Sequence, residues 1–371
     1  DNVAVEIVEG ETRGVPSPNV RGRPELAECL LCGSRITYAD PETGRVYRSK
    51  GEVKSNLIKQ RLEFYPKNAI NDWNRKLEDY LEGRIGLEEL RNAKARPRLL
   101  VKVKIVNRNL RFEPCGEKGD ENLWKALEKL KQIWGDPDIP TEPISPYSSR
   151  YLFPILYGMT EWYKLFNPRQ LLVLVKLVKL IREVGKRVEE EKGKEYAEAI
   201  TAYLAITLCK FADYNSMMSG WQLSYLIAAH TLAMRGIAMV WNWGDYNPIS
   251  DYRGTFATMV RRNTINSLSY LVKHVSGSPS RVRVVLDDAT VLSKLGDEKF
   301  DVVVTDPPYR DDVPYTELSD FYYVWLKRAL SDNGLKSRFH HDALIYNTQW
   351  ESFALNEISY NEGRLKYFGI Q

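Results

Sequence analysis

Two runs rich in β-branched residues, Val282-Arg283-Val284-Val285-Leu286 and Phe300-Asp301-Val302-Val303-Val304-Thr305, constrain this chain more than any other feature. A run that is apolar at successive positions has no solvent face. It suits a strand covered on both sides, as in a parallel sheet with helices above and below. Asp287 to Leu295 reads as a short helical connection between the two. The pair therefore predicts interior strands of an open α/β sheet, whose ligands bind beyond the carboxyl ends of the strands.

Asp306-Pro307-Pro308-Tyr309 stands directly after the second run. Two prolines fix φ at successive residues and remove two N–H donors, so the loop is stiff and presents carbonyl oxygens and the Asp306 carboxylate as acceptors. The Asp306 carboxylate and the Pro307 carbonyl can accept both hydrogens of an exocyclic amino group, which orients the nitrogen lone pair. Tyr309 offers a ring on which an extruded base stacks. By composition the tetrapeptide arises in roughly one chain in a thousand of this size. The bland alternative is a rigid strand-to-loop turn without chemistry.

Ahead of this region the chain divides by pattern. Residues 1–50 read as short hairpins, with Cys29-Leu30-Leu31-Cys32-Gly33 as a knuckle. Residues 51–146 are basic and mixed, with helices over 69–81, 87–93 and 121–134 and a strand over 99–106. The stretch 135–146, with prolines at 137, 140, 143 and 146, reads as a linker. Residues 147–277 are helical: Asn167 caps, Pro168 opens a helix, and Leu171, Leu172, Leu174, Val175, Val178 and Ile181 supply its apolar face. Further helices are predicted over 196–214, 222–235 and 256–275. Residues 278–371 hold the two strands and the tetrapeptide. A net charge of +4 permits a nucleic-acid partner without requiring one. There is no apolar run of membrane length and no signal-peptide pattern at Asp1, and four cysteines do not make a disulfide framework, so a cytoplasmic location is expected.

The block Phe300 to Tyr309 resembles motif IV of the DNA amino-methyltransferases. Phe166-Asn167-Pro168-Arg169-Gln170-Leu171-Leu172, Ala238 to Pro248, and Asp311-Asp312-Val313-Pro314-Tyr315 to Trp325 resemble one subgroup, the adenine-specific DNA methylases that contain a zinc ribbon. The resemblance implies a Rossmann-like methyltransferase core, here partial, with a large mostly helical insertion and a zinc-ribbon-like element. It implies methyl transfer from S-adenosyl-L-methionine to an exocyclic amino group, adenine N6 in DNA first and cytosine N4 second, with Asp306, Pro307, Pro308 and Tyr309 as the catalytic loop. RNA is the runner-up substrate, and a nucleic-acid-binding module that kept the fold without catalysis is the rival. The family's Gly-rich cofactor loop has no counterpart in the sequence and is expected before Asp1. Asp288-Ala289 matches the position that accepts from the adenine amino group of the methyl donor; a lone Asp after a strand is equally a helix cap.

Cys29-x-x-Cys32 is half of a tetrahedral zinc site, with Cys115 a candidate third ligand, or else a metal-free turn. Cys209, on an apolar helix face, is expected in the core. The loop from Asn242 to Pro248 either lines a site or packs a helix junction. Clusters such as Arg21-Gly22-Arg23, Arg91 to Arg98 and Arg261-Arg262 suit phosphates, although single clusters of this size are usually solvated surface.

Overall fold

The computed structural model describes residues 7, 27–28, 35–36, 65–93, 95–107, 109–144, 151–233, 236–240, 242–285, 287, 291–308, 313–332, 336–337, 362–367 and 369. They mix helix and sheet, and the chain divides into two units, Asp1–Asn122 and Leu123–Gln371.

In the first unit a short antiparallel pair joins β1 (Ala27–Glu28) to β2 (Arg35–Ile36). Helix α1 (Tyr65–Leu81) buries Ala69, Trp73, Leu77, Tyr80 and Leu81, the spacing that places side chains on one helical stripe. Helix α2 (Leu87–Arg91) packs on it through the fully buried Leu90. Strand β3 (Val101–Val106) pairs in register with β4 (Asn109–Pro114), which the sequence reading did not anticipate. Asn107 opens the tight connection at φ 50°, a conformation that Asn tolerates better than most residues.

Helix α3 (Gly116–Gln132) follows, and in the second unit it buries Leu123, Leu127 and Leu130. Two 3-10 turns, Phe153–Tyr157 and Trp162–Leu165, lead into α4 (Pro168–Lys192) and α5 (Lys194–Tyr214), which pack against each other. Only Gly193 separates these helices, and its φ of 87° is a conformation that L side chains rarely adopt. The start of α4 is as its sequence dictates. Asn167 accepts from the backbone of Arg169 and Gln170, the Gln170 side chain returns to the Asn167 N–H, and Pro168 fills the first turn. Leu171, Leu174, Val175, Val178 and Ile181 are buried as predicted, while Leu172, at the edge of that face, is half-buried. Each buried side chain contributes roughly 1.5–3 kcal/mol by leaving water.

The described part of 222–235, a stretch expected as helix, forms hairpin strands instead. Strand β5 (Gly220–Gln222) pairs with β6 (Ile227–Ala229), and β7 (Leu232–Ala233) with β8 (Gly236–Ile237). The reason is tertiary. Thr231 donates to the Asp213 carbonyl through both N–H and hydroxyl, and Leu232 N–H donates to the buried Asp213 carboxylate. Those donors would otherwise sit in a helix, and captured there they override Ala and Leu propensity.

A helical turn at Phe256–Thr258, a π turn at Met259–Thr264 and α6 (Ile265–Val275) make up the predicted fourth helix. Helix α7 (Tyr315–Ala329) returns to the core, followed by β9 (Ser331–Asp332), β10 (Lys336–Ser337) and α8 (Glu362–Tyr367). The proline-rich stretch is no free linker. Asp138, Ile139 and Ile144 are buried, and Arg328 of α7 donates to the carbonyls of Pro137 and Ile139 and to Glu142. Prolines made this segment look like a spacer, whereas its carboxylates and isoleucines make it an anchor.

Candidate functional site

The two β-branched runs do not form a parallel sheet among the described residues. Each sheet there is a two-stranded antiparallel pair, and residues 281–285 and 302–308 carry no ladder. Val284 and Val304 are 91% and 88% exposed. A strand exists only through a partner's N–H and C=O groups. The described residues place no such partner beside either run. Asp306 and Pro307 are exposed at the end of the extended segment and Pro308 is half-buried. Tyr309, Asp288, Ala289, Cys29 and Cys32 lie outside the described residues.

Three other segments singled out by sequence are brought together. Asn167 donates through Nδ2 to Asp245 Oδ1 at 2.6 Å, and Arg169 donates through Nε to Asp245 Oδ2 at 2.8 Å. The Gln170 side chain donates to the Gly244 carbonyl at 3.1 Å. The N-terminal turn of α4 thus grips the loop 242–248 by side chains that also cap the helix. On the other side Tyr246 N–H donates to Asn215 Oδ1 at 3.0 Å, and its hydroxyl both accepts from Ala228 N–H and donates to Ala228 C=O. Burial pushes the Tyr246 hydroxyl well above the usual phenol range. Gly244 is obligatory here, since a Cβ would stand 2.5 Å from that of Ala228.

The third segment, α7, joins through aromatic contacts. Phe166 stacks on Phe321 at 6.1 Å and meets Trp325 edge-on at 5.3 Å. The loop therefore packs a helix junction through Tyr246, while Asn242 and Asn247 face solvent. Arg169 Nη1 and Asn215 Nδ2 are buried without a hydrogen-bond partner. Asp213 and Asn215, at the end of α5, were invisible in the sequence because their partners lie in later hairpins and loops.

Cys209 is buried as expected, and desolvation pushes its thiol up to about 12. Cys115 is half-buried, and a Cβ on Gly119 would crowd its sulfur. Among the described residues no group of three or more His, Cys, Asp or Glu is placed to hold a metal ion, and no helix is long and apolar enough to cross a membrane.

No family model matches the chain, and no curated protein or solved structure matches it.

Asp245→Ala tests the junction. It strips the partly buried Arg169 guanidinium of its counter-charge and Asn167 Nδ2 of its acceptor. The expected loss is about 3 kcal/mol, read from urea unfolding. Asp245→Asn should lose less, because it keeps an acceptor for Asn167.

Proposed function

We propose that this chain takes part in methyl transfer from S-adenosyl-L-methionine to an exocyclic amino group of a nucleic-acid base, adenine N6 in DNA first. The observation that carries the reading is Asp306-Pro307-Pro308-Tyr309 directly after an apolar β-branched run. The exposure of Asp306 and Pro307 supports it, since an amino group can reach both acceptors. The finer fold proposed is a partial Rossmann-like core, in which both runs become strands once paired. The meeting of Phe166–Gln170, Gly244–Tyr246 and Phe321–Trp325 supports the kinship, because these segments carried the resemblance.

The methyl donor supplies an electrophilic methyl group. Its own cradle is not among the described residues, and Asp288 is assigned to it by resemblance alone. The rest of the mechanism belongs to this chain. Asp306 and the Pro307 carbonyl accept the two amino hydrogens, turn the lone pair outward and stabilise the nitrogen as it becomes cationic. Tyr309 holds the extruded base by stacking.

Tritiated methyl incorporation into duplex DNA and into RNA, followed by nucleoside analysis, tests the reading. N6-methyladenine in DNA is the expected product. Label in RNA alone moves the substrate to RNA. Absence of label from both leaves a nucleic-acid-binding module.

We further assign Cys29 and Cys32 half of a structural zinc site. Two thiolates two residues apart suit tetrahedral zinc, and β1–β2 pairs the chain on either side of them. Elemental analysis should find zinc that Cys29→Ser removes. Unchanged zinc in that variant rejects the assignment.

A further inference from the structure

The turn between β5 and β6 carries Leu223 and Tyr225 into solvent, 78% and 63% exposed. Leu226, in the same turn, has φ 52°. A leucine holds that left-handed conformation at a cost of about 1 kcal/mol or more. The Tyr252 hydroxyl donates to the Leu226 carbonyl at 3.1 Å and ties the turn to the following loop, where Ile249 is 79% exposed. A strained, tethered and uncovered apolar tip contributes nothing to the core of its own unit.

The chain that follows this loop is cationic. Residues 252–286 contain six Lys and Arg and no Asp or Glu, in a chain whose totals are 53 and 49. At the chain's average frequency about five acids would fall there. Arg253 is exposed. Arg261 and Arg262 sit on the π turn, and such turns recur at functional sites. Both reach the single carboxylate of Asp251, at 3.2 and 3.5 Å, with side chains 56% and 65% exposed. One exposed carboxylate shared by two guanidiniums leaves net positive charge beside the tip.

We propose that this surface is a nucleic-acid contact, in which Tyr225 stacks on an unpaired base of DNA while Arg253, Arg261 and Arg262 meet the flanking phosphates. It rests on the nucleic-acid substrate proposed above and adds where that substrate is held. Charge decides the occupant. A second copy of the chain would bring the same cations to the interface, whereas a phosphate backbone brings their complement. A base has a π face for Tyr225, and stacking does not demand a particular sequence.

Fluorescence anisotropy with a fully paired DNA duplex, the same duplex carrying one bulged base, and the equivalent bulged RNA tests the contact. The bulged DNA should bind about tenfold more tightly than the paired duplex, and Tyr225→Ala should erase that preference. Arg261→Ala/Arg262→Ala should lower the salt slope by about 2, which Arg261→Lys/Arg262→Lys restores. A control pair on α4, Lys186→Ala/Lys192→Ala, should leave the slope unchanged. Equal loss in the control pair, an undiminished bulge preference in Tyr225→Ala, or tighter binding of RNA overturns the proposal. So does co-sedimentation with anionic phosphatidylserine vesicles that Tyr225→Ala abolishes while DNA binding persists. Methyl transfer assayed on the same tip and arginine variants separates the two readings. Binding differences without methyl transfer refute the enzyme alone; methyl transfer with unaffected binding in the tip and arginine variants refutes the contact alone.

Discussion

Arg328→Ala is expected to destabilise the second unit by about 3–5 kcal/mol, the cost of breaking a buried ion pair by removing one partner. The Arg328 side chain is 5% exposed and its guanidinium spends its donors on four separate acceptors. These are Pro137 C=O at 2.9 Å, Ile139 C=O at 3.0 Å, Val324 C=O at 2.8 Å and Glu142 Oε2 at 2.9 Å. Alanine would take this donor from all four acceptors, leaving Ile139 C=O with Thr141 N–H and Glu142 with Lys327 as its remaining cation. The Arg328 carbonyl in turn accepts from Arg182, which holds Asp138 bidentately at 2.6 Å. The loss should therefore spread to α4. Urea unfolding followed by circular dichroism is the measurement, and a loss below about 1 kcal/mol would show that the segment 137–142 is held by packing alone.

The same network sets an acid limit. Burial pushes the Glu142 carboxyl up, but the charges of and hydrogen bonds from Arg328 and Lys327 outweigh it and hold the group below its ordinary 4.5. Asp136, likewise raised by burial, is held below 3.8 chiefly by its hydrogen bond from Lys179. Folded-state values below the unfolded ones mean that the stabilisation is complete above pH 4.5 and is lost as pH falls through the folded values. Arg328→Ala should therefore lose part of this acid dependence along with its stability.

What could be read from the sequence was what is decided within a few residues. Asn167 and Pro168 announce the start of α4, and the spacing of Leu171, Leu174, Val175 and Val178 announces its buried face. The hairpins at 220–237 were misread because the deciding partner, Asp213, lies outside the segment and acts through its carboxylate and carbonyl. Arg328 gave no signal either: its partners are almost 200 residues upstream, in a stretch whose prolines suggested a spacer. The runs at 282–286 and 300–305 fail in a different way. Their composition fits an interior strand, yet a strand is a relation between two backbones. Without a partner among the described residues Val282, Val284 and Val302 to Val304 stand in water. The motif segments 166–170 and 244–246 were legible as unusual, while their contact through Asp245 was not.

In protein that carries a cofactor loop, Asp306→Ala should leave binding of the methyl donor largely intact and lower methyl transfer by about a hundredfold to a thousandfold, the usual cost of one preorganised polar group at a reacting centre. The proposed role of the carboxylate is to accept one amino hydrogen while the Pro307 carbonyl accepts the other. Its removal frees the nitrogen to rotate and leaves the developing cation without its nearest negative charge. Asp306→Asn should recover part of the orientation and little of the charge stabilisation, so its rate should fall between the two. Tyr309→Ala should act on binding instead. It should weaken the hold on the extruded base by about 1–3 kcal/mol, while Tyr309→Phe, which keeps the ring face, should be nearly silent. Single-turnover tritium transfer, with donor binding followed by calorimetry, separates these effects, since a binding defect is overcome by excess nucleic acid and a chemical one is not. Normal single-turnover rates in Asp306→Ala would reduce the tetrapeptide to a rigid turn, because the donor would then reach its acceptor without the group placed to orient it.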